Sequence, residues 1–196
     1  MKSQKDFFNN IANTWDEVCN HNMIKVEYIL DLIDIKKGSH VLDVGTGTGV
    51  LIPSLSQKVG KLGRVKAVDI AEKMIEVAKE KNKYENIVFE CTDILENNEI
   101  ESYDYIICYS MFPHFQDRKE EAVCKLAKKL KENGRLIICH SQSREDINNL
   151  HKSADETVKE DNLPTMKTME SFFSKAGLKI LEEVDNEDMF IIMGYK

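Results

Sequence analysis

A short apolar strand that runs directly into three alternating glycines constrains this chain more than any other feature. The strand is predicted at residues 40–44, and the glycines are Gly45, Gly47 and Gly49. Glycine permits a sharp turn and lets a ligand approach the backbone without a Cβ atom in the way. A tight strand-to-helix turn needs only one such residue, so the three together predict a ligand-binding loop.

The spacing of these glycines separates two kinds of nucleotide site. A dinucleotide site has the pattern Gly-x-Gly-x-x-Gly and holds a pyrophosphate at a helix N-terminus. Here the third glycine comes one residue early, and Asp43 precedes the loop. A carboxylate repels a pyrophosphate and attracts a cation, so the loop favours a ligand that carries positive charge.

Strand-like and helix-like segments alternate along most of the chain. Strands are predicted at 40–44, 64–68, 86–90, 103–108, 135–139, 178–184 and 189–195. A helix at about 117–131 is expected to end at Asn133-Gly134, and another is expected near 144–160. The short join before the last strand indicates an antiparallel hairpin. The pattern predicts the α/β class: a Rossmann-like, doubly wound seven-stranded sheet, mostly parallel with one antiparallel strand in the C-terminal hairpin and helices on both faces.

Composition excludes several classes of protein. The formal net charge of −7 disfavours a nucleic-acid partner, and no apolar run reaches the roughly 18 residues of a membrane helix. The N-terminal residues show no signal peptide. The five cysteines are scattered and form no Cys-x-x-Cys pair, which excludes a disulfide framework or a zinc ribbon. We therefore expect a cytoplasmic protein without a nucleic-acid or membrane partner.

Acidic residues lie at or just after the ends of the first three predicted strands. Asp69 ends the second strand, where an acid accepts hydrogen bonds from ribose hydroxyls, although Asp69 and Glu72 also fit a helix capping box. Asp93 follows the third strand and could equally be a turn or helix-cap residue. Together with Asp43, these acids at adjacent strand ends favour a shared ligand over three separate caps.

The ordered set of motifs resembles the class I S-adenosylmethionine-dependent methyltransferases of the small-molecule type. The similar segments are Val41–Gly49, Val65–Met74, Cys91–Ile94, Tyr103–Ile107 and Leu130–Leu136. The similarity runs from about residue 36 to residue 140, and the terminal hairpin also fits that fold.

This resemblance implies S-adenosylmethionine as the cofactor. The glycine loop and Asp43 would lie against its methionine part, Asp69 would bind the ribose, and Ile70 and Ile94 would line the adenine. Asp93 would accept from the adenine amino group. The cofactor residues implied in this way are Asp43, Gly45, Thr46, Gly47, Gly49, Asp69, Ile70, Met74, Asp93, Ile94, Tyr109 and Ser110.

Methyl transfer from a sulfonium is an in-line displacement, in which the enzyme mainly aligns the acceptor with the methyl group. A base is needed only where the acceptor must lose a proton. His114 and His140, after the fourth and fifth strands, are the candidate catalytic bases, and either could instead be a structural histidine. Trp15, Phe112 and Arg144 are candidate substrate contacts, with Arg144 either clamping an anion or pairing with Glu145 or Asp146.

Three other chemistries are weaker. The histidines at 21, 114, 140 and 151 lack the tight spacing of metal ligands, so no metal is expected. Cys19, Cys108 and Cys139 would suit arsenite methylation, but the last two fall in apolar strands, where cysteine is usually buried. The basic residues at 118, 119, 125, 128, 129 and 131 are expected on the solvated face of a helix.

We therefore expect one methyltransferase domain, 1–196, that methylates a small molecule. Its predicted segments are an N-terminal helical lid (1–35), a cofactor-binding core (36–140), a substrate-cover insertion (141–163) and a C-terminal helix with hairpin (164–196). The acceptor is expected between the N-terminal helices and the loops after strands four and five. The alternatives are an NAD(P)-dependent oxidoreductase, which shares the glycine loop and Asp69, and a non-catalytic S-adenosylmethionine-binding subunit.

Overall fold

The computed structural model of the protein describes residues 3–97 and 100–196. Met1 and Lys2, the start of the predicted lid, lie outside these ranges. The chain forms two compact units, Met1–Glu99 and Ile100–Lys196. Within the two described ranges, no helix has the length and apolar character that crossing a bilayer requires.

The first unit contains a short parallel sheet preceded by three helices. Its helices are α1 (Gln4–Ile11), α2 (Trp15–Val18), α3 (Met23–Ile33), α4 (Ile52–Val59) and α5 (Glu72–Lys81), with a 3₁₀ turn at Ala12–Thr14. Its strands are β1 (His40–Val44), β2 (Arg64–Asp69) and β3 (Ile87–Cys91), and β2 pairs in parallel with both of the others. Parallel pairing puts the carboxyl ends of the three strands at one edge, and the predicted acids lie in or just after those ends.

The second unit contains the remaining four strands. Its elements are β4 (Tyr103–Tyr109), a 3₁₀ segment (Phe112–Arg118), α6 (Lys119–Lys128), β5 (Leu130–His140), α7 (Arg144–Lys152), α8 (Met166–Lys175), β6 (Lys179–Asp185) and β7 (Phe190–Tyr195). Strands β4 and β5 are parallel, whereas β7 is antiparallel to both β5 and β6. The single antiparallel strand in the C-terminal hairpin is therefore confirmed.

Two predicted helix ends are wrong. Helix α6 ends at Lys128 rather than at Asn133-Gly134, and both of these residues lie inside β5. Asn133 has a φ of 61°, and the β4–β5 register shifts there, so that Tyr103 faces Leu130 while Tyr105 faces Arg135. An asparagine in the left-handed region suits a strand bulge as well as a helix stop. Helix α7 ends at Lys152 instead of near residue 160.

Candidate functional site

The predicted ligand loop follows β1 and depends on glycine for its shape. Gly45, Gly47 and Gly49 all have positive φ values, of 68°, 55° and 85°. The amide of Thr46 donates to the carbonyl of Val68 at 2.9 Å, which fastens the loop to the end of β2. Side chains with a Cβ atom rarely adopt this backbone conformation, so the loop requires glycine at these positions.

Gly47 and Gly49 have different surroundings. A Cβ atom added at Gly47 would meet the Nε1 atom of Trp15 at 3.8 Å and no other described atom within 4 Å. At Gly49 it would lie 2.6 Å from Nδ2 of Asn82 and 3.3 Å from Cγ1 of Ile52. Gly47 therefore leaves room beside the loop for a ligand, whereas Gly49 lets α4 and α5 pack closely.

Asp43 is a buried carboxylate beneath this loop. Its Oδ2 atom accepts a hydrogen bond from the hydroxyl of Thr46 at 2.7 Å. Burial, and to a smaller extent the negative charge of Asp69, raises the pKa of Asp43 to about 7, although the hydrogen bond from the Thr46 hydroxyl opposes the rise. A cation placed near Asp43 would favour its charged form, so the position suits the cationic groups of S-adenosylmethionine.

Asp69 joins the glycine loop to α5. Its Oδ2 atom accepts from the amide of Gly47 and its Oδ1 atom from the amide of Ala71, both at 2.9 Å. The capping box with Glu72, which was the alternative to ribose binding, is not formed, because α5 has Ala71 as its N-cap and the Glu72 carboxylate binds Lys5 at 2.6 Å. A carboxylate oxygen accepts more than one hydrogen bond, so these contacts are compatible with ribose binding.

The turn after β3 presents the next predicted cofactor residues. The Oδ1 atom of Asp93 accepts from the amide of Leu95 at 2.8 Å, so Asp93 does stabilise a turn, which was the alternative to adenine binding. Ile94 is buried, whereas Ile70 after β2 is 40% exposed. Met74 is buried with Ala12 and Ala71, so its side chain belongs to the packing of α5.

The N-terminal helices pack on this loop and on α5. Trp15 lies edge-on to Phe8, with the ring centroids 5.7 Å apart, and both pack against the Met74 cluster. Asp16 accepts a hydrogen bond from the hydroxyl of Thr48 at 2.6 Å and also pairs with Lys81. Trp15, a predicted substrate contact, therefore lies beside Gly47 within the same unit.

Asn9 is a residue that sequence reasoning did not assign. Its Oδ1 atom accepts from the amide of Lys73 at 2.9 Å, and its Nδ2 atom donates to Glu72 at 3.2 Å. Helix α5 has no capping side chain of its own, so Asn9 caps it from a segment 64 residues away. No local pattern could have indicated this contact.

In the second unit, the end of β4 and the residue after it are hydrogen-bonded to β5 and to the residue that follows β5. The Tyr109 hydroxyl lies 2.8 Å from the Ser141 hydroxyl, and both residues are buried. Ser110 has a φ of 53°, and its amide donates to the carbonyl of Cys139 at 2.9 Å. A non-glycine residue held in this conformation is typical of functional sites, where packing compensates for the strain.

His114, a predicted base, is paired with a carboxylate. Its Nδ1 atom lies 2.6 Å from Oδ2 of Asp161, whose side chain is only 1% exposed. The ring of His151 lies close by, with its centroid 5.2 Å from that of His114. Asp161 was not singled out from sequence, because it lies 47 residues from His114 in a segment with no regular structure.

His140, the other predicted base, has a different environment. It is 2% exposed, and burial, together with positive charge on His114 and His151, lowers its pKa to about 3. The Nε2 atom of His140 and the Nδ1 atom of His151 are buried and have no hydrogen-bond partner within residues 3–97 and 100–196. A nitrogen with so low a pKa is a weak general base at neutral pH.

Other predicted side chains of the second unit have partners that sequence did not indicate. Phe112 is fully buried and meets Phe115 edge-on at 5.7 Å, so it belongs to the core. Arg144 pairs with Asp185 at 3.2 Å rather than with Glu145 or Asp146. Lys119 is buried, and its ammonium donates to the carbonyl of Gln116, so its predicted place on a solvated helix face is wrong.

Neither the metal nor the arsenite alternative gains support. In the described part of the chain, no three His, Cys, Asp or Glu side chains are placed to hold a metal ion. Cys108 and Cys139 are buried in β4 and β5, as predicted, and Cys19 lies 3.4 Å from Nε2 of His21 in the first unit.

Comparison with known proteins decides the family. A family model described as "Methyltransferase domain" matches residues 35–189, about four fifths of the chain. The chain belongs to this methyltransferase family. This methyltransferase is 28% identical over 189 residues to a malonyl-[acyl-carrier protein] O-methyltransferase from Bacillus anthracis, which covers 94% of the chain and 69% of that relative. It is 34% identical over 119 residues to a ubiquinone biosynthesis O-methyltransferase from Coxiella burnetii, which covers 59% of the chain and 49% of that relative.

A solved structure supports the fold of this methyltransferase. The crystal structure of a SAM-dependent methyltransferase from Aquifex aeolicus matches with a TM-score of 0.74 at 20% identity, over 94% of this chain and 97% of that one. The predicted Rossmann-like, seven-stranded α/β fold is therefore confirmed. S-adenosylmethionine is the cofactor of this methyltransferase, as predicted, and the oxidoreductase alternative has no support.

Proposed function

We propose that this methyltransferase is a catalytically active enzyme that transfers a methyl group from S-adenosylmethionine to a small-molecule acceptor in the cytoplasm. The observation that carries the proposal is the pair of hydrogen bonds from Gly47 and Ala71 to Asp69. They fix a carboxylate at the end of β2, next to a glycine loop whose Gly47 leaves open space. The thiol state of all five cysteines is typical of a reducing compartment.

The first unit supplies the cofactor groups in this proposal. The buried Asp43 and the nearby Asp69 would attract the cationic cofactor, and Asp69 would accept from its ribose hydroxyls. The exposed side chain of Ile70 would cover the adenine, together with Asp93 and Ile94 on the turn after β3. When bound, the cofactor supplies a methyl group on a positively charged sulfur, which needs no further activation.

The second unit supplies the acceptor groups. Tyr109 ends β4 and Ser110 follows it, and these two would contact the cofactor, whereas His114 comes after them in the same strand-end segment and would face the acceptor. We assign the base role to His114 rather than to His140, because His140 is buried and has a pKa of about 3. The names of both relatives describe O-methyltransferases, which supports an oxygen atom as the acceptor.

Binding and turnover test the proposal separately. Isothermal titration calorimetry should show saturable binding of S-adenosylmethionine and none of NAD. An acceptor panel of a thiol, a phenol, an amine, a carboxylic acid and arsenite, read by released S-adenosylhomocysteine, should show turnover with at least one small molecule. Cofactor binding without turnover on any acceptor, together with a stoichiometric partner that co-purifies, would instead establish the non-catalytic alternative.

A further inference from the structure

The second unit contains a histidine–carboxylate pair that the family assignment does not explain. The Nδ1 atom of His114 and the Oδ2 atom of Asp161 are 2.6 Å apart, and Asp161 is buried. An ionised carboxylate can only accept hydrogen bonds, so Nδ1 must carry the hydrogen of the neutral imidazole. Nε2 is then the nitrogen of His114 that can accept a proton, as in other pairs where a carboxylate orients a histidine base.

Unsatisfied polar atoms in the same cluster indicate that a ligand approaches it. His140 is 98% buried, and its Nε2 atom has no hydrogen-bond partner among the described residues, as is also true of Nδ1 of His151. The ring centroid of His151 lies 5.2 Å from that of His114. Burial and then the positive charge of His114 lower the pKa of His140 as well as that of His151. Buried polar nitrogens are rarely left unpaired, so these two call for a polar ligand or a bound water.

A charged side chain near the pair, Lys119, does not act as the base in place of His114. The buried ammonium of Lys119 interacts with Asp161 and donates to the carbonyl of Gln116. A lysine ammonium that is hydrogen-bonded in this way is a proton donor and cannot serve as the base.

Resting on the proposed function, we propose that the acceptor is a weakly acidic hydroxyl compound of the phenol class, deprotonated by Nε2 of His114, and that Asp161 is the positioning residue for this base. A carboxylic acid is already ionised at neutral pH and would need no such pair. The oriented base therefore favours an acceptor whose proton must leave during the reaction.

The step balances as follows. The acceptor O–H bond breaks, and its proton moves to Nε2 of His114. An oxygen–carbon bond forms to the methyl group while the carbon–sulfur bond breaks, and the electron pair of that bond stays on sulfur. Asp161 stabilises the resulting imidazolium, which later returns its proton to solvent.

The test compares acceptors of different acidity in wild type, His114→Ala and Asp161→Asn. The probes are phenol, a nitro-substituted phenol that ionises near neutral pH, and an aliphatic carboxylic acid, with release of S-adenosylhomocysteine as the readout. For phenol we expect kcat to fall by about 10²-fold or more in His114→Ala and by at least about tenfold in Asp161→Asn, with KM changed little. For the nitrophenol, the ratio of wild-type kcat to variant kcat should fall towards one, because that acceptor needs no base.

Two further variants separate positioning from folding. Asp155→Asn makes the same change at an exposed aspartate of the same segment, which accepts from the Thr157 amide at 3.0 Å, and it should leave kcat unchanged. Asp161→Glu should restore part of the activity, since a carboxylate would again face Nδ1. Equal losses for both phenols, turnover of the carboxylic acid alone, or no turnover of any phenol would overturn the inference. In that case, calorimetric binding of S-adenosylmethionine would still support the proposed function. A lack of binding would contradict both the proposed function and this inference.

Discussion

The two units build their candidate sites in different ways. In the first unit, backbone conformation makes the site: three glycines at positive φ and two amides that donate to Asp69. In the second unit, side chains from distant segments make it, as in the pairing of His114 with Asp161. A site made from backbone requires particular residues at fixed spacing, whereas a site made from side chains can draw them from anywhere in the fold.

This difference predicts where substitutions act. Changes in the glycine loop should affect folding and cofactor affinity together, because the same atoms serve both. Changes in the histidine cluster should affect turnover without affecting cofactor affinity. The variants below are ordered from the largest expected effect to the smallest, and each compares a residue with a matched position.

The largest effect is expected for Gly49→Ala. The added methyl group would meet Asn82, which is buried and already donates to the carbonyl of Ala78 at 3.0 Å, so it cannot move aside cheaply. Strain at positive φ and overpacking together should cost about 2–5 kcal/mol of unfolding free energy, measured by denaturant titration. Gly38→Ala is the matched control, since Gly38 has the same φ of 85° and no atom within 4 Å of the added methyl group. Equal losses of unfolding free energy in the two variants would show that the close packing around Gly49 adds nothing to the cost of the substitution.

The next effect is expected for Asp69→Ala. The variant loses the groups that would bind the ribose and also releases the amides of Gly47 and Ala71. We expect the affinity for S-adenosylmethionine to fall about 10²-fold, as for the loss of two hydrogen bonds to a charged group. Asp31→Ala, an exposed acid of the same unit, controls for the change in net charge. Wild-type affinity in calorimetry would remove Asp69 from the cofactor site.

The contrast between the units also explains what the sequence could predict. The alternation of strands and helices and the terminal hairpin come from local periodicity, and the structure has them. The shape of the glycine loop was predictable because glycine has few other reasons to alternate there. Local prediction was wrong where one sequence pattern fits two structures. Asn133-Gly134 fits both a helix end and a strand bulge, and it lies in a strand bulge instead of ending α6.

Contacts between distant segments could not be predicted in this way. Asp161 follows α7 in a segment of turns, and nothing near it in sequence indicates that it meets His114. From the sequence, Lys119 was predicted on the solvated face of a basic helix, but in the structure it is buried at the first turn of α6. These positions depend on how the segments pack, which periodicity does not encode.

A smaller effect should appear in the pH dependence of cofactor binding. Because the pKa of Asp43 is raised to about 7, the group is partly protonated at neutral pH, and the ionised form attracts the cationic cofactor. Affinity should therefore rise roughly tenfold from pH 6 to pH 8 in wild type and stay nearly flat in Asp43→Asn.

The free protein should respond with the opposite sign. A pKa raised above the value of about 4 in the unfolded chain means that the folded state holds its proton more tightly. Stability from this group is complete below about pH 4 and is lost as the pH rises through about 7. Asp43→Asn should remove this loss in denaturant titrations, while the exposed Asp31→Asn should keep it. For cofactor binding, an affinity of the wild type that does not change between pH 6 and pH 8 would show that the cationic groups of the cofactor lie away from Asp43.

The smallest effect is expected for Asn9→Ala, which tests a side-chain contact inside the backbone-built unit. The variant removes the acceptor for the Lys73 amide at the start of α5, together with the hydrogen bond to Glu72. A lost N-cap costs about 1 kcal/mol, so the unfolding free energy should fall by that amount and proteolysis within residues 4–18 should become faster. Asn10→Ala is the matched control, because Asn10 is the same residue type on the same helix but is exposed. Equal unfolding free energies and proteolysis rates for the two variants would show that the Asn9 side chain does not stabilise α5. The first unit would then depend on backbone contacts alone.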